Sequence, residues 1–505
     1  MLRSRLSLAV IVLFTLCAFG CDNSSSTEST EESATDYGVG PWDEGVAVPY
    51  QEQPPGNPTE GFHALVEKGY VSCGVPAWVF GLVPKDFTEM FSRDPLTDKD
   101  GRKLRSGSNT NLPYNWTSHM ITEQGVDLEV VSPNCLQCHA SYFNGELIIG
   151  LGNVWTDYTE DFTGGAGEFL IYILKQLFYF PGKDSVLKLL ERQQGIAAQM
   201  IVPVVGSNPA VATAVALASH RDPYTLEWLD EPWTPLNPIQ LAIDTPPWWR
   251  THKKSTQFYN GMSRGDHKGT MTLVSMFCTD SNEEAEETLS YFDDVHAYIR
   301  SIEPPKYPFA IDQEEAAVGE KIYVANCAGC HGTYGATDDE ETFPNLMIPL
   351  DVLGTDETMA VEGTDNLKDW FGKTAYAQSG DTQIVFDVPF RGYAVPPLDA
   401  IWATPPFLHN GSVPNLYMLL NSRARPKYWK KEKWTNPRVD SMNFDEENIG
   451  WPYEEVEYGQ DTAPANEKKY IFDTTLKGHS NTGHTFGDAL TDKQRLQLIE
   501  YMKTL

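Results

Sequence analysis

GEKIYVANCAGCHG, Gly319 to Gly332, holds a Cys-x-x-Cys-His unit that the chain uses twice, since NCAGCH at Asn326–His331 repeats the pattern of NCLQCH at Asn134–His139. Two thiols three residues apart on one helical turn can each add to a haem vinyl group while the next histidine supplies a nitrogen to the iron. With 8 Cys and 11 His in 505 residues, chance alone predicts roughly 0.003 such units, so two of them carry chemistry. A pair of zinc knuckles or redox dithiols would leave both histidines without a role. Cys135, Cys138, Cys327 and Cys330 are therefore expected to hold two covalently attached haem c groups, with His139 and His331 binding the irons.

Working outward, Asp312 and Glu315 form a possible capping box, and the helix they open carries Gly319, Ile322, Tyr323 and Asn326 into Cys327. The last helix starts at TDKQ, Thr491 to Gln494, and places Leu498, Ile499, Met502 and Leu505 on one face. Upstream, Ser281 and Glu284 cap a helix whose Leu289, Phe292, Val295 and Ile299 recur at helical spacing until EPPKYPF, Glu303 to Phe309, ends it. The second half resembles a class I cytochrome c, with Gly319 letting the terminal helix cross closely near Tyr501. The related phrase DDVHAYIRSIEPP suggests the same module used twice. The expected fold is mainly α: an N-terminal haem domain over residues 61–303 with a large insertion, then a C-terminal cytochrome c-like haem domain over 304–505, with long loop-rich and helical insertions. The apolar FLIYILKQLFYF, Phe169 to Phe180, reads as a hydrophobic substrate channel or as a buried helix packing two domains; its length and Lys175 and Gln176 exclude a membrane span.

Haem c is attached after export, and residues 1–20 read as a secretory signal: Arg3 and Arg5, then the apolar LSLAVIVLFTLCAFG. AFGC, Ala18 to Cys21, resembles a bacterial lipobox with alanine where leucine is usual, which makes Cys21 the expected lipidation site. Residues 21–60 are the expected tether, opening with the polar, acidic DNSSSTESTEESATD. The chain is expected in the periplasm or at the cell surface, held to a membrane only through that anchor. Cys73 and Cys278 remain, either as a pair or as two buried thiols. A formal charge of −32 argues against nucleic acid and against an anionic membrane surface as partners, and favours a basic redox partner protein.

VPPLDAIWATPPFLHNGSVPNL, Val395 to Leu416, resembles the signature of di-haem peroxidases of the bacterial cytochrome c peroxidase and MauG type. GYVSCGVP (Gly69 to Pro76), NCLQCHASYFNGELIIGLGN (Asn134 to Asn153), FYNGMSRGDH (Phe258 to His267) and SNTGHTFG (Ser480 to Gly487) look closer to the RoxA-like, rubber oxygenase-like branch. The resemblance implies an asymmetric pair: one haem where peroxide, dioxygen or a hydrophobic organic substrate reacts, and one six-coordinate haem that supplies or stores electrons. It places the second ligand of the C-terminal haem on His484, with His409, His479 and Tyr393 in reserve. His409 is otherwise expected to hold a haem propionate or a main-chain group, and His479 to be solvated. Around the N-terminal haem, His139 is joined by Arg264 and His267 as the expected catalytic group. The alternative for that glycine-bounded loop is a solvated charged surface. Calcium is a further cofactor candidate. PPWWR, Pro246 to Arg250, offers Trp248 and Trp249 as an aromatic bridge. The two functional readings are thus an exported di-haem peroxidase- or oxygenase-type oxidoreductase and a lipid-anchored electron carrier with both irons six-coordinate.

Overall fold

Asn57, Ser281, Asp312 and Thr491 each cap a helix, and in the computed structural model the four helices pack as two crossed pairs. The model describes residues 40–82, 94–161, 166–235, 241–335, 340–361, 365–385 and 390–505; the expected export signal, Cys21 and residues 22–39 of the expected tether lie outside them. Helix α1 (Pro58–Glu67) opens with Asn57 accepting the Thr59 and Glu60 amides and crosses the long α5 (Asn282–Arg300). Helix α6 (Gln313–Asn326) crosses the terminal α7 (Asp492–Met502). Both crossings need glycine: a Cβ on Gly61 would lie 1.8 Å from the Asp294 carbonyl oxygen, and one on Gly319 would lie 2.0 Å from that of Gln497 and 2.9 Å from the Tyr501 side chain.

The capping boxes differ in how they close. Thr491 and Gln494 exchange both bonds. Ser281 accepts the Glu284 amide, but Glu284 accepts from Asp280 instead. Asp312 caps α6 while Glu315 accepts from Gln497 across the helix crossing, so tertiary packing takes the second half of that box.

The expectation of a mainly α chain is overturned. Five small sheets are present among the described residues, and the protein is mixed α and β. The hairpin of β3 (Trp116–Glu123) and β4 (Val126–Pro133) turns at Gln124 and Gly125, both at positive φ, with β2 (Val75–Pro76) on the far edge of β4. Directly after the first Cys-x-x-Cys-His turn, β5 (Ala140–Phe143) and β6 (Glu146–Ile149) pair across Asn144-Gly145, again both at positive φ. Such two-residue turns match the right-handed twist of the strands they join. Strands β1 (Val46–Ala47), β8 (Leu346–Pro349) and β10 (Gly392–Ala394) form a third sheet. A fourth orders β12 (Tyr453–Glu455), β11 (Tyr428–Lys431) and β13 (Ile471–Asp473). β7 (Ser263–Arg264) pairs with β9 (Gln383–Ile384).

Tyr37–Leu505 packs as one compact unit. Its largest core joins the segments that carry the two Cys-x-x-Cys-His units: Phe143, from the hairpin after His139, stands 5.2 Å from Trp402, 4.8 Å from Phe444 and 5.4 Å from Trp451, ring centre to ring centre. A second core gathers Leu65, Leu136, Phe292, Val295 and Ile299 beneath Cys135. Cys73 and Cys278 form a disulfide there, with Cα atoms 5.4 Å apart, closing a loop of 205 residues. The phrase FLIYILKQLFYF lies mostly in solvent, neither channel wall nor buried spacer. It forms α3 (Ala166–Gln176) and the following turn into α4 (Lys183–Gly195); Ile171 points inward while Phe169, Leu170, Tyr172 and Ile173 are exposed. Among the described residues, no helix is long and apolar enough to cross a membrane.

Candidate functional site

Helix α6 delivers Cys327 by donating its amide to the Tyr323 carbonyl, and the next turn brings the His331 amide back to the Cys327 carbonyl. Buried Tyr323 donates its hydroxyl to the Gly332 carbonyl, locking the turn from behind. His331 Nδ1 stands 2.9 Å from the Pro396 carbonyl oxygen. A carbonyl can only accept, so Nδ1 carries the proton and Nε2 keeps the lone pair that a metal needs. Burial holds the His331 imidazole down to about 4, so it is neutral.

His484 faces it, with ring centres 6.4 Å apart and planes at 58°. An iron held by two imidazoles through bonds of about 2 Å places the ring centres roughly 6 Å apart, so the pair fits one iron between them. His484 is held there by strain that its neighbours support: it sits at φ 45° beside Gly483 at φ 76°, its amide donates to the Leu353 carbonyl, and a Cβ on Gly483 would meet Thr355 N at 2.3 Å. Burial, with His331 and Arg425 nearby, lowers the His484 imidazole to about 3.

Both rings, Cys327 and Cys330 line one apolar cleft with Ile348, Val395, Leu416, Leu419, Leu498 and Met502. Its cationic members also suit the group. Arg250 is buried with Nη2 lacking a hydrogen-bond partner among the described residues, and Lys254 is lowered to about 8 by burial and by Arg250. A buried guanidinium nitrogen without a partner is costly, and a haem propionate is an anion that would pair with it. The cleft therefore fits haem c: thiols for its vinyl groups, opposed imidazoles, apolar walls and cations for its acids.

The reserve ligands are engaged elsewhere. Tyr393 donates to the Asp356 carbonyl at 2.7 Å and receives His409 Nε2 at 3.2 Å, with the two rings stacked 4.3 Å apart. His409 still lines the cleft, consistent with a cofactor-binding rather than a metal role. His479 is not solvated as expected: it is buried against Phe472 and donates Nδ1 to the Lys477 carbonyl. Its burial comes from the β13 sheet, which its own flanking residues do not reveal.

At the first site, the Leu136–His139 turn is anchored by the Cys135 amide donating to Tyr70 Oη at 2.6 Å, and the Tyr158 hydroxyl lies 3.6 Å from Cys138 Sγ. The His139 ring stacks on Trp248, centres 4.6 Å apart and planes at 21°. Burial lowers its imidazole to about 4 against a small upward push from the Pro246 main chain. Among the described residues, the ring of His139 pairs with Trp248 and not with His267. The FYNGMSRGDH loop is no solvated surface either: Asp266, His267 and Lys268 are buried, and the His267 ring neighbours His296 of α5 at 5.5 Å. His296, inside DDVHAYIRSIEPP, carries no local signal beyond one buried position on a helix.

The two sites share one segment. Pro246, Pro247 and Arg250 line the His331 cleft while Trp248 between them stacks on His139. Trp249 turns into the core and donates Nε1–H to the Asp399 carbonyl.

A RoxA-like, cytochrome c-like family model matches residues 392–430, the span that contains Tyr393, Pro396 and His409. A stretch of 48 residues is 44% identical to the Cbb3-type cytochrome c oxidase subunit FixP of Bradyrhizobium diazoefficiens, covering 10% of this chain and 17% of that one. These likenesses support a c-type cytochrome. A cytochrome c-like domain implies covalent haem c with its iron. Longer matches join it to two uncharacterized proteins of Sinorhizobium fredii. One is y4iM, 26% identical over 250 residues, 41% of this chain and 52% of that one. The other is y4iJ, 29% identical over 267 residues, 40% of this chain and 41% of that one. The chain thus spans about half the length of these relatives or less.

Proposed function

We propose that the protein is an exported di-haem oxidoreductase in which the His331–His484 site stores and supplies electrons and the His139 site reacts with peroxide or dioxygen. The observation that carries this reading is the difference between the two histidines: His331 is opposed by a second imidazole, whereas His139 is stacked by Trp248, with no second imidazole in ring contact among the described residues. Iron with two strong protein ligands transfers electrons; iron with one has a position for a reacting molecule. When bound, the haems supply the redox chemistry. The chain's part is to fix tautomers, as the Pro396 carbonyl does for His331, to keep water from buried imidazoles, and to hold the two sites on one short segment.

In this reading the protein is carried to the periplasm or cell surface, anchored through lipid on Cys21, and exchanges electrons with a basic partner protein. The second reading is an electron carrier in which both irons are six-coordinate; the likeness to FixP, a cytochrome c oxidase subunit, favours a role in electron transfer. Low-temperature EPR of the oxidised protein separates the two. Equal high-spin and low-spin ferric signals support the oxidoreductase. Two low-spin signals, of which the one remaining after one-electron reduction is still low spin, support the carrier. His139→Gly should abolish peroxide or oxygen turnover and leave the low-spin signal of the other site in place.

A further inference from the structure

The α3–α4 hairpin carries a patch that nothing in the haem chemistry uses. Along Phe169–Tyr179 the exposed apolar side chains include Phe169 at 66% of its surface, Tyr172 at 59% and Phe178 at 96%. Helix α2 (Ala77–Phe80) extends the patch: Trp78 is 57% exposed and its ring meets Phe180 at 5.9 Å, and Leu82 follows at 72%. Soluble surfaces carry single exposed apolar residues routinely, but contiguous ones mark a contact site.

We propose that this hairpin lies in the interfacial layer of a lipid bilayer, as a second attachment beside the lipid anchor that the export reading places on Cys21. Three observations favour lipid as the occupant. The exposed set is aromatic and aliphatic together, and the polar tips of Trp78, Tyr172 and Tyr179 suit the headgroup depth where such residues gather. The local charge is small: residues 166–192 hold four basic and three acidic side chains in a chain of net −32, so the hairpin itself adds no negative charge for a phospholipid surface to repel. Lys175 bonds Glu191 at 2.6 Å and the Lys183 ammonium donates to the Leu177 carbonyl, which keeps the rim polar without burying charge. Finally, 18 residues separate Cys21 from Gly40, a span of at most roughly 60 Å, so an anchored chain stays within reach of the same membrane. The 11 residues of α3 measure about 16 Å, too short to cross a hydrocarbon core of about 30 Å; the helix lies along the surface.

The test uses the haem-loaded full chain carrying Cys21→Ser, so that no lipid anchors it, mixed with vesicles of phosphatidylethanolamine and phosphatidylglycerol. The protein should co-sediment with the vesicles, and Phe178→Glu or the triple change Phe169→Ser, Tyr172→Ser, Phe178→Ser should weaken that binding at least tenfold. Because these side chains are exposed, both haem spectra should stay unchanged, which separates this result from any failure of the redox reading. Absence of vesicle binding by the Cys21→Ser protein overturns the proposal. So does a concentration-dependent dimer abolished by the same substitutions, which would assign the patch to a second copy of the chain.

Discussion

At the scale of single residues, spacing and chemistry made the haem-binding cysteines and histidines legible, because covalent attachment demands a fixed local pattern. His484 is expected from the family resemblance, with Gly483 and Gly487 beside it; its ring stands against that of His331, and its role as a ligand is the proposal that substitution tests. His484→Ala should convert the low-spin ferric signal of that site to high spin in EPR, while His479→Ala, at a ring bonded to Lys477, should leave it low spin. What stayed hidden were partners supplied by the main chain and by burial. The Pro396 carbonyl that fixes the His331 tautomer is a backbone atom, and the burial of His479 is set by a distant sheet. Asp244 belongs with these. It lines the cleft, receives the Tyr259 hydroxyl, and is pushed up to about 7 by burial, partly offset by Lys431. A carboxyl whose folded pKa is raised favours the folded state fully below its unfolded pKa of about 4, and that contribution is lost as pH rises through about 7. Asp244→Asn should therefore flatten the fall in stability between pH 4 and 7, read as urea midpoints at several pH values across that range.

At the scale of elements, helices were legible where caps and apolar spacing agreed, and Gly319 was legible because a small residue recurs where helices meet. Gly319→Val should cost at least about 1–3 kcal/mol through overpacking, since its Cβ would lie 2.0 Å from the Gln497 carbonyl oxygen; a lowered thermal midpoint with loss of the C-terminal haem spectrum checks it. The strands are short and several pair only through distant segments, so local pattern favours helix; Asn144-Gly145 between alternating residues is the one strong hairpin signal beside the first Cys-x-x-Cys-His unit. Helix α3 was misplaced for a different reason. An apolar run looks the same whether it is covered by protein or by something else, and sequence does not say which. The Cys73–Cys278 bond is likewise a matter of distance that only the fold supplies. Replacing both cysteines with serine should cost about 2–5 kcal/mol, measured by chemical denaturation with both haems attached.

At the scale of the whole molecule, the two halves share a plan of a glycine-crossed helix pair and a haem-binding turn, yet they are joined by more than a linker. Phe143 from the first half sits in the core of the second, and the Pro246–Arg250 segment touches both sites. If the protein stores electrons at one site and spends them at the other, this segment is where coupling should fail first. Trp248 stacks on His139 while its neighbours two residues away on either side line the other cleft, so an electron leaving one site meets an aromatic ring before it meets the ligand of the other. Trp249 is equally large and fully buried, but its indole is bound to Asp399 in the core. Trp248→Leu should slow electron exchange between the sites at least tenfold, followed by rapid mixing of the half-reduced protein with oxidant, while both haem spectra persist. Trp249→Phe should lower stability and leave that rate within about twofold of the parent. Equal slowing in both variants would make the effect one of packing, and an unchanged rate in Trp248→Leu would mean that the sites exchange electrons by direct approach of their haem edges.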